Sequence, residues 1–166
     1  MTIAETLLPE FDQEMAGLRK ILERVPDGKS DWKPHEKSMP LARLATHLAE
    51  LPAWTTNCVT KDGLEFNPPY KPTILHTTQE RLALFDMYLK EARAALAAAK
   101  DSEWQKTWTM KFSGKVVFAL PRSAVYRSSA MNHMIHHRAQ LGVYLRLLGV
   151  PLPFLYGPTA DEPTRQ

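Results

Sequence analysis

The chain has 166 residues, of which 44% are hydrophobic and 23% charged, with a formal net charge of +3 at pH 7. This excludes a disordered chain, and a chain of about 150 residues hides roughly two-thirds of its unfolded surface, enough for a core without covalent staples. The single cysteine, Cys58, excludes an internal disulfide framework and a Cys-rich zinc module; no apolar run approaches the roughly 20 residues that span a bilayer, and charges scattered without a like-charge block argue against a nucleic-acid binder.

In chain order, the first helix is expected over residues 3–25. Leu8, Phe11, Met15, Leu18, Leu22 and Val25 recur in alternating steps of three and four, and Thr2 with Glu5 makes a capping-box pattern. Pro26-Asp27-Gly28 stops it. Acidic residues in MTIAETLLPEF stand where a secretory leader would be positive, so a cytoplasmic protein is expected. The second helix runs over 39–60, with Ser38 as N-cap, Pro40 in the first turn and Leu44, His47, Leu48, Leu51, Trp54 and Cys58 as its stripe. Pro52 should bend or locally break it.

A proline-rich connection over 67–72 leads to a third helix over 78–100, with a capping box in Thr77 and Glu80 and a stripe of Leu82, Phe85, Leu89, Ala92 and Leu96. Residues 104–120 alternate Trp108, Met110 and Phe112 with polar neighbours and then reach Ser113-Gly114, the pattern of a short hairpin or extended loop. The fourth helix spans 122–149, between Pro121 and Gly149, and the tail beyond it is not expected to be helical. Four helices of similar length, without repeat or low-complexity segment, predict one all-α domain over 1–166: a four-helix bundle with a hairpin or extended loop before its last helix.

Three of the six histidines fall in Asn132-His133-Met134-Ile135-His136-His137-Arg138. At about 100° per residue, His133 and His137 lie roughly 40° apart, on the side that carries Tyr126, Ala130, Leu141, Tyr144 and Leu148. Imidazoles at i and i+4 can reach one metal ion, though two aligned histidines alone also suit ordinary core or surface positions. His47, in the apolar stripe of the second helix, shifts the balance. Three imidazoles in one core need partners, and a divalent ion satisfies all three while leaving open positions, as catalytic sites do.

These residues carry a resemblance. Leu44-Ala45-Thr46-His47-Leu48-Ala49-Glu50, the stretch from His133 through His136, His137, Arg138 and Gln140 to Leu141, and Tyr156-Gly157-Pro158 near the end are together similar to the DinB family, the DinB/YfiT-like metalloenzymes. The resemblance covers nearly the whole chain. It implies an up-down-down-up four-helix bundle, frequent homodimers and one divalent ion, Zn, Ni or Fe, held by three histidines matching His47, His133 and His137. Ala139 stands where the family often has glycine. Family activities vary and include thiol-dependent transfer and isomerisation, with low-molecular-weight thiols as co-substrates.

Three further residues are catalytic candidates. Glu50, about one turn from His47, could accept an imidazole N–H, the alternative being a solvated helix residue. Arg138 could steer an anionic substrate, or simply face solvent. His136 could touch substrate or act as acid or base, or be a surface histidine. Cys58 shares the face of His47 but lies roughly 16 Å away along the axis, so it packs as a small hydrophobe. The expected function is metal-dependent activation of a thiol or water for attack on a small electrophile, in stress response or detoxification. The alternative is a non-catalytic dimeric metal- or ligand-binding protein.

Overall fold

Residues 1–163 are described by the computed structural model. Helix α1 (Ile3–Leu22) starts at the expected capping box: the Thr2 hydroxyl accepts from the Glu5 N–H (3.1 Å) and the Glu5 carboxylate accepts from the Thr2 N–H (2.7 Å). Its stripe of Phe11, Met15, Leu18 and Leu22 is buried, and Val25, just beyond the helix, is buried as well.

The second rod is two helices, α2 (Leu41–Glu50) and α3 (Pro52–Thr60), joined through Leu51, which keeps helical dihedrals. Proline at the first position of α3 supplies no N–H, so the break falls where the sequence places it. Ser38 is not the N-cap. Pro40 holds that position with no side-chain cap, and the first amides of α2 are satisfied by backbone instead: Leu41 N–H donates to Trp32 O (2.8 Å) and Ala42 N–H to Ser30 O (3.0 Å).

Beyond α3 lies a strand that the expectation of an all-α bundle omits. β1 (Gly63–Phe66) is followed by α4 (Thr78–Ala97), begun by the Thr77–Glu80 capping box, and then by the hairpin β2 (Thr107–Phe112) and β3 (Lys115–Pro121). β1 pairs parallel with β2, and β2 antiparallel with β3, giving a three-stranded sheet in the order β1-β2-β3. The hairpin turns on Ser113 (φ 48°) and Gly114 (φ 78°), both left-handed as a tight hairpin turn requires. Gly63 permits the parallel pairing: a Cβ there would lie 2.2 Å from the Thr109 carbonyl oxygen.

The fourth rod is continuous but not uniform. A short α5 (Arg122–Val125) passes into a π-helical stretch, Tyr126–Asn132, and then into α6 (His133–Leu147). α6 ends in a Schellman motif at Gly149 (φ 72°), with Val150 N–H donating to Leu145 O (2.9 Å) and Gly149 N–H to Arg146 O (3.1 Å).

Ion pairs set the relative directions of the rods. Asp12–Arg93 (2.8 Å) and Arg19–Asp86 (3.1 Å) align α1 antiparallel to α4, whereas Glu10–Arg127 (2.7 Å) and Glu14–Arg138 (2.6 Å) run α1 alongside the fourth rod in the same direction. Four helical rods thus share one apolar core, with Trp108 of β2 sunk into it. No helix among the described residues is long and apolar enough to cross a membrane.

Candidate metal centre

His47 projects from the last turn of α2, and His133 and His137 from the first two turns of α6. Their ring centroids lie 5.1 Å (47–133), 4.8 Å (47–137) and 4.7 Å (133–137) apart. One nitrogen from each falls within 4.8 Å of the others, and the three residues are half-buried. The helix-wheel reading is adjusted in one respect. The fully buried stripe of α6 is Met134, Arg138, Leu141 and Leu145, and the two histidines flank it toward α2.

Hydrogen bonds settle which nitrogens face inward. His133 Nδ1 lies 3.3 Å from the Ser129 carbonyl, which can only accept, so Nδ1 carries the proton and Nε2 presents a lone pair. His137 Nδ1 likewise donates to Gln140 Oε1 (2.7 Å). The π-helical stretch makes the first arrangement available, because there the His133 N–H bonds to Ser128 O, leaving Ser129 O to the imidazole.

Burial is the main cause that lowers the pKa of each of the three, His47 down to about 3, with the other histidines adding to it. At neutral pH all three are neutral imidazoles, the form that ligates metals. The fit to an ion can be tested on one distance. His47 Nε2 lies 3.2 Å from His133 Nε2, close enough to donate a hydrogen bond to its lone pair, and two nitrogens sharing a tetrahedral zinc at about 2.0–2.1 Å stand roughly 3.3 Å from each other, so the same spacing serves an ion. Three neutral nitrogen donors with open positions suit Zn, Ni or Fe.

The remaining candidates divide. Glu50 is at the site: its carboxylate lies 4.0 Å from His47 Nδ1, beyond hydrogen-bond reach, and burial raises its pKa. Arg138 is not. It does not face solvent but is buried against α1, where Nη1 donates to Glu14 O (3.0 Å) and Nη2 to the Glu14 carboxylate (2.6 Å). Gly17 makes room for it, since a Cβ there would sit 3.0 Å from Arg138 Nη1. His136 is exposed, 5.0 Å from the His137 ring by centroid, and outside the three-histidine group. Cys58 is buried as expected, and burial pushes its thiol up to about 12.

Sequence reasoning assigned no role to Gln140, although its i+3 spacing from His137 was readable. It did not find Ser129, which acts through its backbone carbonyl. Nor did it find Arg43, one turn before His47 on α2. Arg43, His47 and Glu50 line a cavity of about 440 Å³ that Trp54, Phe66 and Tyr70 also line. The Trp54 ring also meets His133 edge-on, with centroids 6.2 Å apart, so the cavity opens beside the histidines.

A bundle of four helical rods that brings three histidines from two of them to one point, where they could hold a metal ion, defines a class of helical proteins, and comparison with known proteins names it. The DinB family profile matches residues 1–166, and the chain belongs to that family. It is 24% identical over 156 residues to the uncharacterized protein YrdA of Bacillus subtilis (strain 168), covering 93% of this chain and 89% of YrdA. Among solved structures, the DinB-like protein YjoA of Bacillus subtilis superposes with a TM-score of 0.69 at 20% identity, covering 90% of this chain and 96% of that one. A DinB-like protein from Bacillus cereus ATCC 10987 gives 0.70 at 18% identity, covering 92% and 97%. At these identities the two structures speak to the fold.

Proposed function

We propose that the chain is a divalent-metal-dependent enzyme in which His47, His133 and His137 hold the ion and a low-molecular-weight thiol or water is activated for attack on a small electrophile, in stress response or detoxification. The observation that carries this reading is the three-histidine group itself, with inward lone pairs at the edge of a cavity. A divalent ion held there supplies Lewis acidity, which makes a thiolate or hydroxide available at neutral pH. The chain's own residues do the rest. Ser129 and Gln140 hold the Nδ1 protons of His133 and His137 and so keep both Nε2 atoms aimed at one point. Glu50 stands where it can take up the Nδ1 proton of His47 after a small side-chain movement. Trp54 and Phe66 exclude water from one side.

In this reading the substrate is a small molecule, with no nucleic acid or membrane as partner, and the protein works as a cytoplasmic homodimer. Val143 and Leu147, exposed one turn apart on α6, offer a second copy an apolar contact. That pair equally favours a non-catalytic dimeric binding protein, in which the ion is structural. Elemental analysis of untagged protein, purified without a nickel column, tests the site. The expected result is near one ion per chain, and almost none in His137→Ala. Absence of metal in both, with the fold intact after zinc or nickel is added, overturns the reading. Stripping the ion separates the two functions: a structural ion takes several kcal/mol of stability with it, whereas a catalytic ion in a preformed bundle leaves the helices standing.

A further inference from the structure

The cavity beside the histidines has a polar end in which Arg43 has no role in holding the ion. Arg43, His47 and Glu50 follow one another at i, i+4 and i+7 and share one face of α2. The side chain of Arg43 is only 16% exposed, yet its Nη1 is buried and, among the described residues, has no hydrogen-bond partner. The Glu50 carboxylate lies 3.8 Å from it, close enough to offset charge but too far to accept the hydrogen bond. Nη1 is sealed from incoming groups, but the guanidinium lines the cavity, so an acceptor that enters it meets the remaining N–H groups of the fork.

The rest of the cavity states what that acceptor is attached to. Trp54 and Phe66 meet with ring centroids 6.4 Å apart, and Phe66 meets the half-exposed Tyr70 at 5.9 Å, so a continuous aromatic wall runs from the histidines to the mouth. Such walls take flat apolar bodies. We propose that the cavity binds a small planar carboxylate, its anionic end on Arg43 and its ring system along Trp54 and Phe66. A carboxylate matches the planar fork of a guanidinium. Glu50 already offsets the Arg43 charge, so selection rests on the geometry of the fork, which a planar carboxylate matches, and a phosphate dianion would add repulsion from Glu50. The volume of about 440 Å³ lies within the usual range for small-molecule sites and accommodates one or two fused rings. As a statement about substrate this rests on the enzymatic reading above; as a statement about an anion site it does not.

The probes are 2-naphthoate and its neutral counterpart 2-naphthamide, measured by calorimetry on the full chain as purified and again after chelation. The expected result is that the acid binds at least about tenfold more tightly than the amide in both preparations. Arg43→Gln should bring that ratio near one in the chelated protein, and Trp54→Ala should weaken acid and amide together. Equal binding of acid and amide by the wild type, or no binding of either, overturns the proposal. So does a preference seen only with metal and untouched by Arg43→Gln, which assigns the carboxylate to the ion. Should Arg43→Gln fail to fold, Arg43→Lys decides: it keeps the charge but loses the fork, and an undiminished ratio refutes the assignment. Elemental analysis of the same samples separates this outcome from failure of the metal site, because Arg43 would still discriminate in a chain that holds no ion.

Discussion

Arg138 follows His137 in sequence but faces the other way, and replacing it with methionine tests that orientation. The Arg138 side chain is 3% exposed and that of its partner Glu14 7%. Three polar contacts hold the guanidinium: Glu14 O at 3.0 Å, the Glu14 carboxylate at 2.6 Å, and the Tyr156 hydroxyl, which itself donates to that carboxylate (2.7 Å). Arg138→Met leaves the Glu14 carboxylate buried with a single donor. Breaking a buried pair in this way costs about 3–5 kcal/mol, where replacing both partners by apolar groups costs far less. For a chain of this size that is a fall of roughly 6–20 °C in melting temperature. Thermal and urea denaturation measure it, and the double variant Arg138→Met/Glu14→Leu should recover much of the loss. Metal content of the folded single variant should equal that of the wild type. A loss below about 1 kcal/mol, or a stable variant that no longer holds metal, would refute the account of Arg138 as a clamp between the fourth rod, α1 and the C-terminal segment.

Two further outcomes follow from the histidine site. Burial, with the neighbouring histidines, holds His47 down to about 3 against an ordinary 6.5, so below about pH 6.5 the unfolded chain takes up a proton that the folded chain refuses. Stability of the metal-free protein is therefore full above pH 6.5 and falls between there and pH 3; at pH 5 His47 alone removes about 2 kcal/mol, read from urea melts across pH, and a flat profile would contradict it. Gln140→Ala frees the His137 ring and should weaken metal binding roughly 10–100-fold without changing the fold, measured by competition with a chelating dye; unchanged affinity would show that Gln140 does not hold the ring.

What the sequence made legible was local. The capping boxes at Thr2 and Thr77 concern residues three apart, and the break at Pro52 is a property of one ring. His133 and His137 share a helix turn, so their alignment was readable, and His47 could be added because an imidazole in a leucine stripe needs a partner. What stayed hidden depends on distant pairing. Arg138 looked solvent-facing or substrate-facing because Glu14, its partner, is 124 positions away. β1 has four residues, too few to show alternation, and is a strand only because β2 lies alongside it. The π-helical stretch leaves no mark in composition, and Ser38 lost its expected capping role to backbone carbonyls at Ser30 and Trp32. Arg43 read as an ordinary polar residue on an amphipathic helix until β1 and the segment after it closed a cavity over that face.

The three histidines come from segments 86 positions apart in the chain. Bringing two such points together in a flexible polymer costs about 4 kcal/mol in closure entropy, and the folded bundle has met that cost before any ion arrives. The three-histidine group is therefore assembled by topology before any ion is offered to it. The helical pair His133 and His137 is a local bidentate clip that a short peptide could copy, whereas the third arm exists only at the effective concentration that the packing of α2 against α6 confers. An ion gripped by all three thus ties the second rod to the fourth and reports directly on whether that packing is intact.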